Sequence, residues 1–324
     1  MELRTYEPRD DRAILALWNT AGVKVGYAPQ DEEGLGKLLL KHPDFSPEHA
    51  FVLTEGGAIC GFIAGCTGAH LPWGDVRGYI SLLLLDQAHD TQAHTCQLLG
   101  ALEQSFRAKG KTQAAVSYFN PVRLPWVIPG TPGHQHNNMP GIATDLPLCE
   151  RMVDFGYRHV ATEVAMYRSL ADFVYPEAMR AKEARLNGEG YGVDWYREGM
   201  HTGVEAMVEQ LKNPQWSAEI PAAAHSGMKL LVALQGNVVA GFTGPIYPEP
   251  SGRGYFAGIA VAPPYEGHGL GTLLFYKLCQ AEKECGAAYM SLFTGTDNHA
   301  QKIYRGAGFT PRRCFAVMLK SLEV

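Results

Sequence analysis

Val261-Ala-Pro-Pro-Tyr-Glu-Gly-His-Gly-Leu-Gly-Thr272 sets three glycines, Gly267, Gly269 and Gly271, at alternate positions between an apolar run and a helical pattern. The run that ends at Val261 reads as a strand, Pro263 and Pro264 forbid its continuation, and Leu270, Leu273, Leu274 and Leu278 mark one face of a helix. The glycines therefore fall at a strand-to-helix junction. A helix N-terminus leaves backbone N–H groups unpaired and carries partial positive charge, so a junction stripped of side chains lets an anion such as a phosphate approach the backbone.

Two phosphate motifs do not account for this stretch. A dinucleotide fingerprint needs G-x-G-x-x-G, whereas the spacing is G-x-G-x-G and no acidic residue closes a following short strand. A nucleotide P-loop needs G-x-x-x-x-G-K-[ST]; the one Gly-Lys-Thr, at Gly110, has Ser105 in the first glycine position and precedes a strand instead of following one.

The surrounding chain is written twice. "VLTEGGAICGF" from Val52 and "VALQGNVVAGF" from Val232 share their first Val, a Gly four places on and a final Gly-Phe, at an offset of 232 − 52 = 180. Each reads as a hairpin. Gly78-Tyr79 and Gly254-Tyr255 then open apolar runs that precede a long helical pattern, strand-like runs end at Phe119 and Phe293, and later helical segments end at Gly156-Tyr157 and Gly308-Phe309. Each half therefore reads strand, helical region, hairpin, strand, helix, strand, helix, strand, an α/β (α+β) order with helices flanking a mixed, mostly antiparallel sheet. A length of 324 residues suits two such domains. We place the first at 1–170 with a Pro/Gly-rich insertion at 120–147, a helical linker at 171–189, and the second at 190–324. An insertion of that length is expected to be functional or flexible.

Composition narrows the partners. With 28 basic and 33 acidic residues the formal charge is -5, which gives no footprint for nucleic acid or an anionic membrane. Seven cysteines without a CxxC pair suit a reducing compartment. The start, MELRTYEPRD, has no apolar stretch behind a basic tip, and no apolar run is long enough to span a bilayer. The expectation is a cytoplasmic protein, a monomer or homodimer, acting on small molecules. His134-x-His136 could suggest a metal, but a third ligand is missing nearby, and no metal is assigned.

"VAPPYEGHGLGTLL" resembles the acetyl-CoA signature of the GCN5-related N-acetyltransferases, Val-x-Pro-x-x-[Arg/Gln]-x-x-Gly-x-[Gly/Ala], and "DNHAQKIYRGAGF" is similar to that family's second signature, an Asn/Asp-led helix carrying Ala and Tyr and ending in Gly-Phe. Both fall within residues 190–320. The resemblance implies a sheet whose strands splay beside the glycine loop, with acetyl-CoA as co-substrate lying in the gap. Ile259, Ala260 and Val261 would line its pantetheine arm, with the backbone of Ile259 and Val261 pairing to it. Glu266, Gly267, His268, Gly269, Leu270, Gly271 and Thr272 would surround the pyrophosphate, and Asp297 and Asn298 stand at the head of the second signature. Tyr304 falls where the family places its general acid. Glu266 departs from the signature's Arg/Gln and sets negative charge beside the pyrophosphate, so either weaker coenzyme affinity or a counter-charge elsewhere is expected, with the backbone donors still dominant.

The first half, at the matching place, reads "LLLLDQAHDTQAHTCQLL", with no glycine between Asp86 and Leu99, and Met152 takes the position of Tyr304. It resembles the same fold with its coenzyme site lost. The resulting expectation is a tandem N-acetyltransferase whose second half moves acetyl from acetyl-CoA to a primary amine of a small molecule or peptide. Trp126, His134 and His136 in the insertion are expected either to contact the acceptor as part of a substrate-shaping loop or to belong to an exposed ornament or a domain-packing loop. The alternatives are a non-catalytic acyl-CoA sensor or scaffold, and a transferase using another acyl donor.

Overall fold

The computed structural model describes residues 1–323. They form two compact units, the first made of Met1–Ala165 with Phe293–Thr296 and the residues from Arg312 on, the second of Met166–Leu292 with Asp297–Pro311. Among the described residues no helix is long and apolar enough to cross a membrane.

In the first unit the strands Glu2–Thr5, Ala50–Glu55, Ala58–Cys66, Arg77–Leu85, Gln113–Val116 and the closing strand lie side by side in that order. Period-two alternation sends Val52, Phe62 and Leu84 to one face, against Ile14, Trp18 and Leu35 of the N-terminal helices. Leu53, Ile63 and Leu85 face the other way, onto Leu98, Leu102 and Phe106 of the helix Gln92–Ala108. In the second unit Val232, Leu234 and Phe242 of the hairpin Leu231–Gln235/Val238–Gly244 pack against Val204, Met207 and Ile220 of the helices Val204–Leu211 and Pro214–His225.

The duplication read from the sequence extends to register. The first unit pairs Gly61↔Leu85, Phe62↔Leu84 and Ile63↔Leu83; the second pairs Gly241↔Val261, Phe242↔Ala260 and Thr243↔Ile259. A register shift at Leu53/Thr54 recurs at Ala233/Leu234. A bulge inserts one residue and reverses which face the following side chains take, so an identical bulge in both hairpins means that both direct the same positions inward.

The domain limits differ from those read along the chain. The closing strand, Thr310–Ser321, runs antiparallel to Gln113–Val116, with Met318 opposite Val116 and Lys320 opposite Ala114, so from Arg312 on it completes the first unit's sheet. A strand edge exposes a row of unpaired N–H and C=O groups, and this pairing satisfies them. Lys320 adds an ion pair to the buried Glu103 at 2.9 Å, and Arg107 donates to the Leu322 carbonyl at 3.0 Å. The 171–189 stretch, read as a linker, contains the helix Glu177–Gly188, which is docked within the second unit. Leu186 is fully buried there and Glu183 pairs with Lys277 at 2.5 Å.

Candidate active site

The site is made where one strand of the second unit breaks. Arg253–Tyr255 runs parallel to Tyr289–Gly295, pairing Arg253↔Tyr289 and Gly254↔Met290. After Phe256-Ala257 the chain resumes as Gly258–Val261, now paired with Val238–Gly244 and last in its sheet. The break is held from above: the Trp216 indole on helix Pro214–His225 donates to the Ala257 carbonyl at 3.2 Å, and the Thr243 hydroxyl donates to the Gly258 carbonyl at 3.0 Å. On the same helix Glu219 accepts from the Tyr255 hydroxyl at 2.9 Å.

The splay leaves an edge free. Ala262 N–H donates to the Ala240 carbonyl at 2.8 Å; with antiparallel alternation, Ala260 points its backbone the same way, and Ile259 and Val261 point theirs to the open side. That side is a cleft of about 500 Å³ lined by Ile259–Val261, by Tyr265–Gly267 and Gly269–Thr272 and, across from them, by His299, Ala300, Ile303 and Tyr304.

The floor of the cleft is the glycine loop. Gly267 has φ +83° and Gly269, the N-cap of the helix Leu270–Glu284, has φ +92°, a left-handed conformation that side chains resist. The first helical bond is Leu273 N–H to the Gly269 carbonyl at 3.2 Å; from Gly267 to Thr272 the N–H groups have no backbone acceptor among the described residues. A run of unpaired donors at a helix start is an anion site in waiting.

Tyr304 lies on the short helix Gln301–Gly306, 7% exposed, its ring 4.6 Å from that of Phe275. Burial pushes its phenol up to about 12, so it keeps its proton at neutral pH. Its hydroxyl has no hydrogen-bond partner among the described residues and belongs to the cleft wall.

The other residues singled out in the sequence are placed differently. Glu266 lines the cleft at its exposed rim. The ring of His268 stacks on Tyr191, centroids 4.5 Å apart, and turns away from the cleft lining. Asp297 and Asn298 stand off the cleft wall in the turn before the Tyr304 helix, where Asn298 Oδ1 accepts from Ala300 N–H at 2.9 Å. The structure places Trp126 and His136 in the interior of the first unit and leaves His134 partly exposed. Trp126 is 1% exposed, donating to the Asn138 carbonyl and set against Phe315 at 5.1 Å, and His136 is 3% exposed, paired opposite Trp126 in a two-residue ladder. The His134 carbonyl accepts from Ile128 N–H at 2.8 Å.

The insertion instead roofs the first unit's own splay. Strands Arg77–Leu85 and Gln113–Val116 pair only from Arg77↔Gln113 to Tyr79↔Ala115. The gap beyond is walled by Val122, Leu124, Asn138, Met139 and Ile142 of the insertion, which leave a cavity of about 110 Å³. The Asn120 amide donates to the Ile80 carbonyl at 3.1 Å, taking up the strand edge from within. At the helix start Thr91 caps His94 N–H at 3.3 Å, and Met152, at the position matching Tyr304, is buried.

The sequence reading missed Lys182. An ideal Cβ on Gly269 would lie 2.9 Å from Lys182 Nζ, so the ammonium rests on the bare face of the loop. It comes from the helix Glu177–Gly188, and nothing in the local pattern of either segment ties two residues 269 − 182 = 87 positions apart.

Comparison with known proteins agrees with this geometry. Residues 192–309 match the model of the Acetyltransferase (GNAT) family. No curated protein matches the chain. Among solved structures, the GCN5-related glucosamine N-acetyltransferase region of a fungal multi-domain GH3 β-N-acetylglucosaminidase superposes with TM-score 0.74 at 16% identity, covering 98% of this chain and 38% of that one. The chain thus spans well under half of that protein. A GCN5-related N-acetyltransferase from Sphaerobacter thermophilus gives TM-score 0.67 at 14% identity over 100% of this chain and 96% of its own. A tandem GNAT protein from the clavulanic acid biosynthesis pathway gives 0.60 at 14% over 100% and 99%. The chain carries the tandem GNAT fold throughout, and its residues 192–309 match the model of the GNAT acetyltransferase family.

Proposed function

We propose that the second unit transfers the acetyl group of acetyl-CoA to a primary amine of a small molecule or peptide by direct attack. One observation carries the reading: a single cleft joins a free strand edge at Ile259 and Val261, the unpaired N–H groups from Gly267 to Thr272, and the protonated phenol of Tyr304. These are the parts needed for an extended amide-bearing arm, for its diphosphate, and for a thiolate that leaves.

The amine must arrive neutral, since an alkylammonium has a pKa near 10 and no lone pair to offer. Its nitrogen attacks the thioester carbonyl, the C–N bond forms as the C–S bond breaks, the sulfur takes a proton from Tyr304, and the proton lost by the nitrogen passes through solvent to restore the phenol. A thiol, with pKa near 8.5, is the stronger acid than a phenol near 12, so the sulfur alone would not need the proton at high pH. The phenol acts in the transition state, where a developing charge on sulfur is stabilised by a donor already in place.

Only the second unit is proposed to act, because the first lacks the loop, caps its helix with Thr91 and fills its splay with Asn120. The test is calorimetry with acetyl-CoA followed by CoA release against an amine panel, for the native chain and Tyr304→Phe. The expected stoichiometry is one per chain, and the variant should bind acetyl-CoA normally while turnover falls by about 10²-fold. Two equivalent sites would refute the account of the first unit. Binding without turnover by any amine would make the protein an acyl-CoA sensor, and unchanged turnover in Tyr304→Phe would leave the phenol a packing role.

A further inference from the structure

Lys182 is out of place by ordinary electrostatics. The N-terminus of a helix carries partial positive charge and favours anions, yet this half-buried ammonium sits against the N-cap Gly269, 2.9 Å from where a Cβ would be. It has no carboxylate or hydrogen-bond partner among the described residues. Glu183, its neighbour, is engaged with Lys277 at 2.5 Å, and Glu266, in the same loop, lies at the exposed rim. One turn along, Arg185 reaches the His268 carbonyl at 3.4 Å while pairing with Glu189 at 2.5 Å. Cation, helix terminus and unpaired N–H groups therefore converge from two segments on one spot. Like charges placed so closely repel unless something negative lies between them.

We propose that Lys182, from the helix that leads into the second unit, is a diphosphate ligand of the coenzyme site, supplying the cation that Glu266 displaces from the glycine loop. The helix is anchored for the task by Leu186 in the interior and by the Glu183–Lys277 pair, which keeps Lys182 within reach of the loop. The lysine contributes a point charge at the open face of the loop while the backbone N–H groups supply direction. The site consequently selects acyl carriers that bear phosphate, and its affinity is salt-sensitive. This assignment rests on the acetyl-CoA reading above.

The experiment compares the native chain, Lys182→Met and Lys182→Arg by calorimetry with acetyl-CoA, its 3′-dephospho form and acetyl-pantetheine, at low and high salt. Met keeps the methylene stem and removes the charge. Lys182→Met should weaken acetyl-CoA and the dephospho form alike by about tenfold or more, on the scale of one charge-assisted hydrogen bond. It should leave acetyl-pantetheine unchanged and flatten the salt dependence, and Lys182→Arg should restore most of the loss. Equal affinity of Lys182→Met and the native chain for acetyl-CoA overturns the assignment while leaving the acetyl-CoA reading intact. A loss confined to the 3′-phosphorylated form also overturns it, placing the lysine on the other phosphate. Failure of the native chain to bind acetyl-CoA overturns both.

Discussion

Glu282 offers a measurable consequence of how the glycine-loop helix is seated. It lies on that helix, fully buried, and both carboxyl oxygens lack a hydrogen-bond partner. Its side chain presses on Gly254, where a Cβ would come within 2.6 Å of Oε2, so only glycine lets helix and strand meet here. Burial pushes its carboxyl from 4.5 up to about 9, Arg253 pulling against the shift and Glu249 adding to it. Because the folded pKa is raised, the folded state holds a proton that the unfolded chain releases above 4.5, so stability falls as pH rises from 4.5 to 9 and is level above that. At 1.36 kcal/mol per unit, the loss between pH 5.5 and 8.5 is about 4 kcal/mol. Glu282→Gln keeps the shape and cannot titrate; its buried amide carries a cost of about 1–3 kcal/mol that does not vary with pH. Urea melts of both proteins at pH 5.5, 7 and 8.5 should therefore show the variant gaining on the native chain by roughly 1.4 kcal/mol per pH unit. Parallel stabilities across that range would mean that Glu282 is ionised when folded, and the picture of a neutral buried acid would be wrong.

Two further outcomes are expected. Gly269→Val should abolish acetyl-CoA binding in calorimetry, because a branched side chain at φ +92° is strained and covers the donors beside Lys182; the stability cost should stay near 1–3 kcal/mol because the loop is at the surface. Lys320→Met should lower the stability of the first unit by about 1–3 kcal/mol in thermal or urea melts, by leaving Glu103, 3% exposed, with only the longer contact to Arg107 at 3.5 Å. Pairing it with Glu103→Gln should recover much of that loss, and additive losses would show that the two side chains do not interact.

Read along the chain alone, the residues already settle much of the site. Gly267, Gly269 and Gly271 between a strand stopped by two prolines and a helix with a leucine face leave one local outcome, a bare N-terminus, because steric freedom and helix ends are properties of neighbours in sequence. The same holds for the two hairpins, legible from their matched glycines, while the matched bulges at Leu53/Thr54 and Ala233/Leu234 beside Gly61 and Gly241 are added by the structure. Tyr304 could be expected at the site only through its place in the second signature of the family that the sequence resembles, and the structure sets it on the cleft wall.

What depends on segments far apart in the chain could not be read in this way. The closing strand serves the first unit because its edge pairs with Gln113–Val116, some two hundred residues earlier, and no residue in either strand names its partner. The insertion looked like a ligand loop because prolines, glycines and aromatic residues serve equally well to wall a pocket or to plug one; only packing shows that Trp126 and His136 are interior. Lys182 was invisible for the same reason. A lysine on an amphipathic helix is ordinarily a solvated charge, and it becomes part of an anion site only when tertiary contacts, the buried Leu186 and the Glu183–Lys277 pair, lay that helix across the glycines. Local sterics set the loop, and long-range packing decides which charges face it.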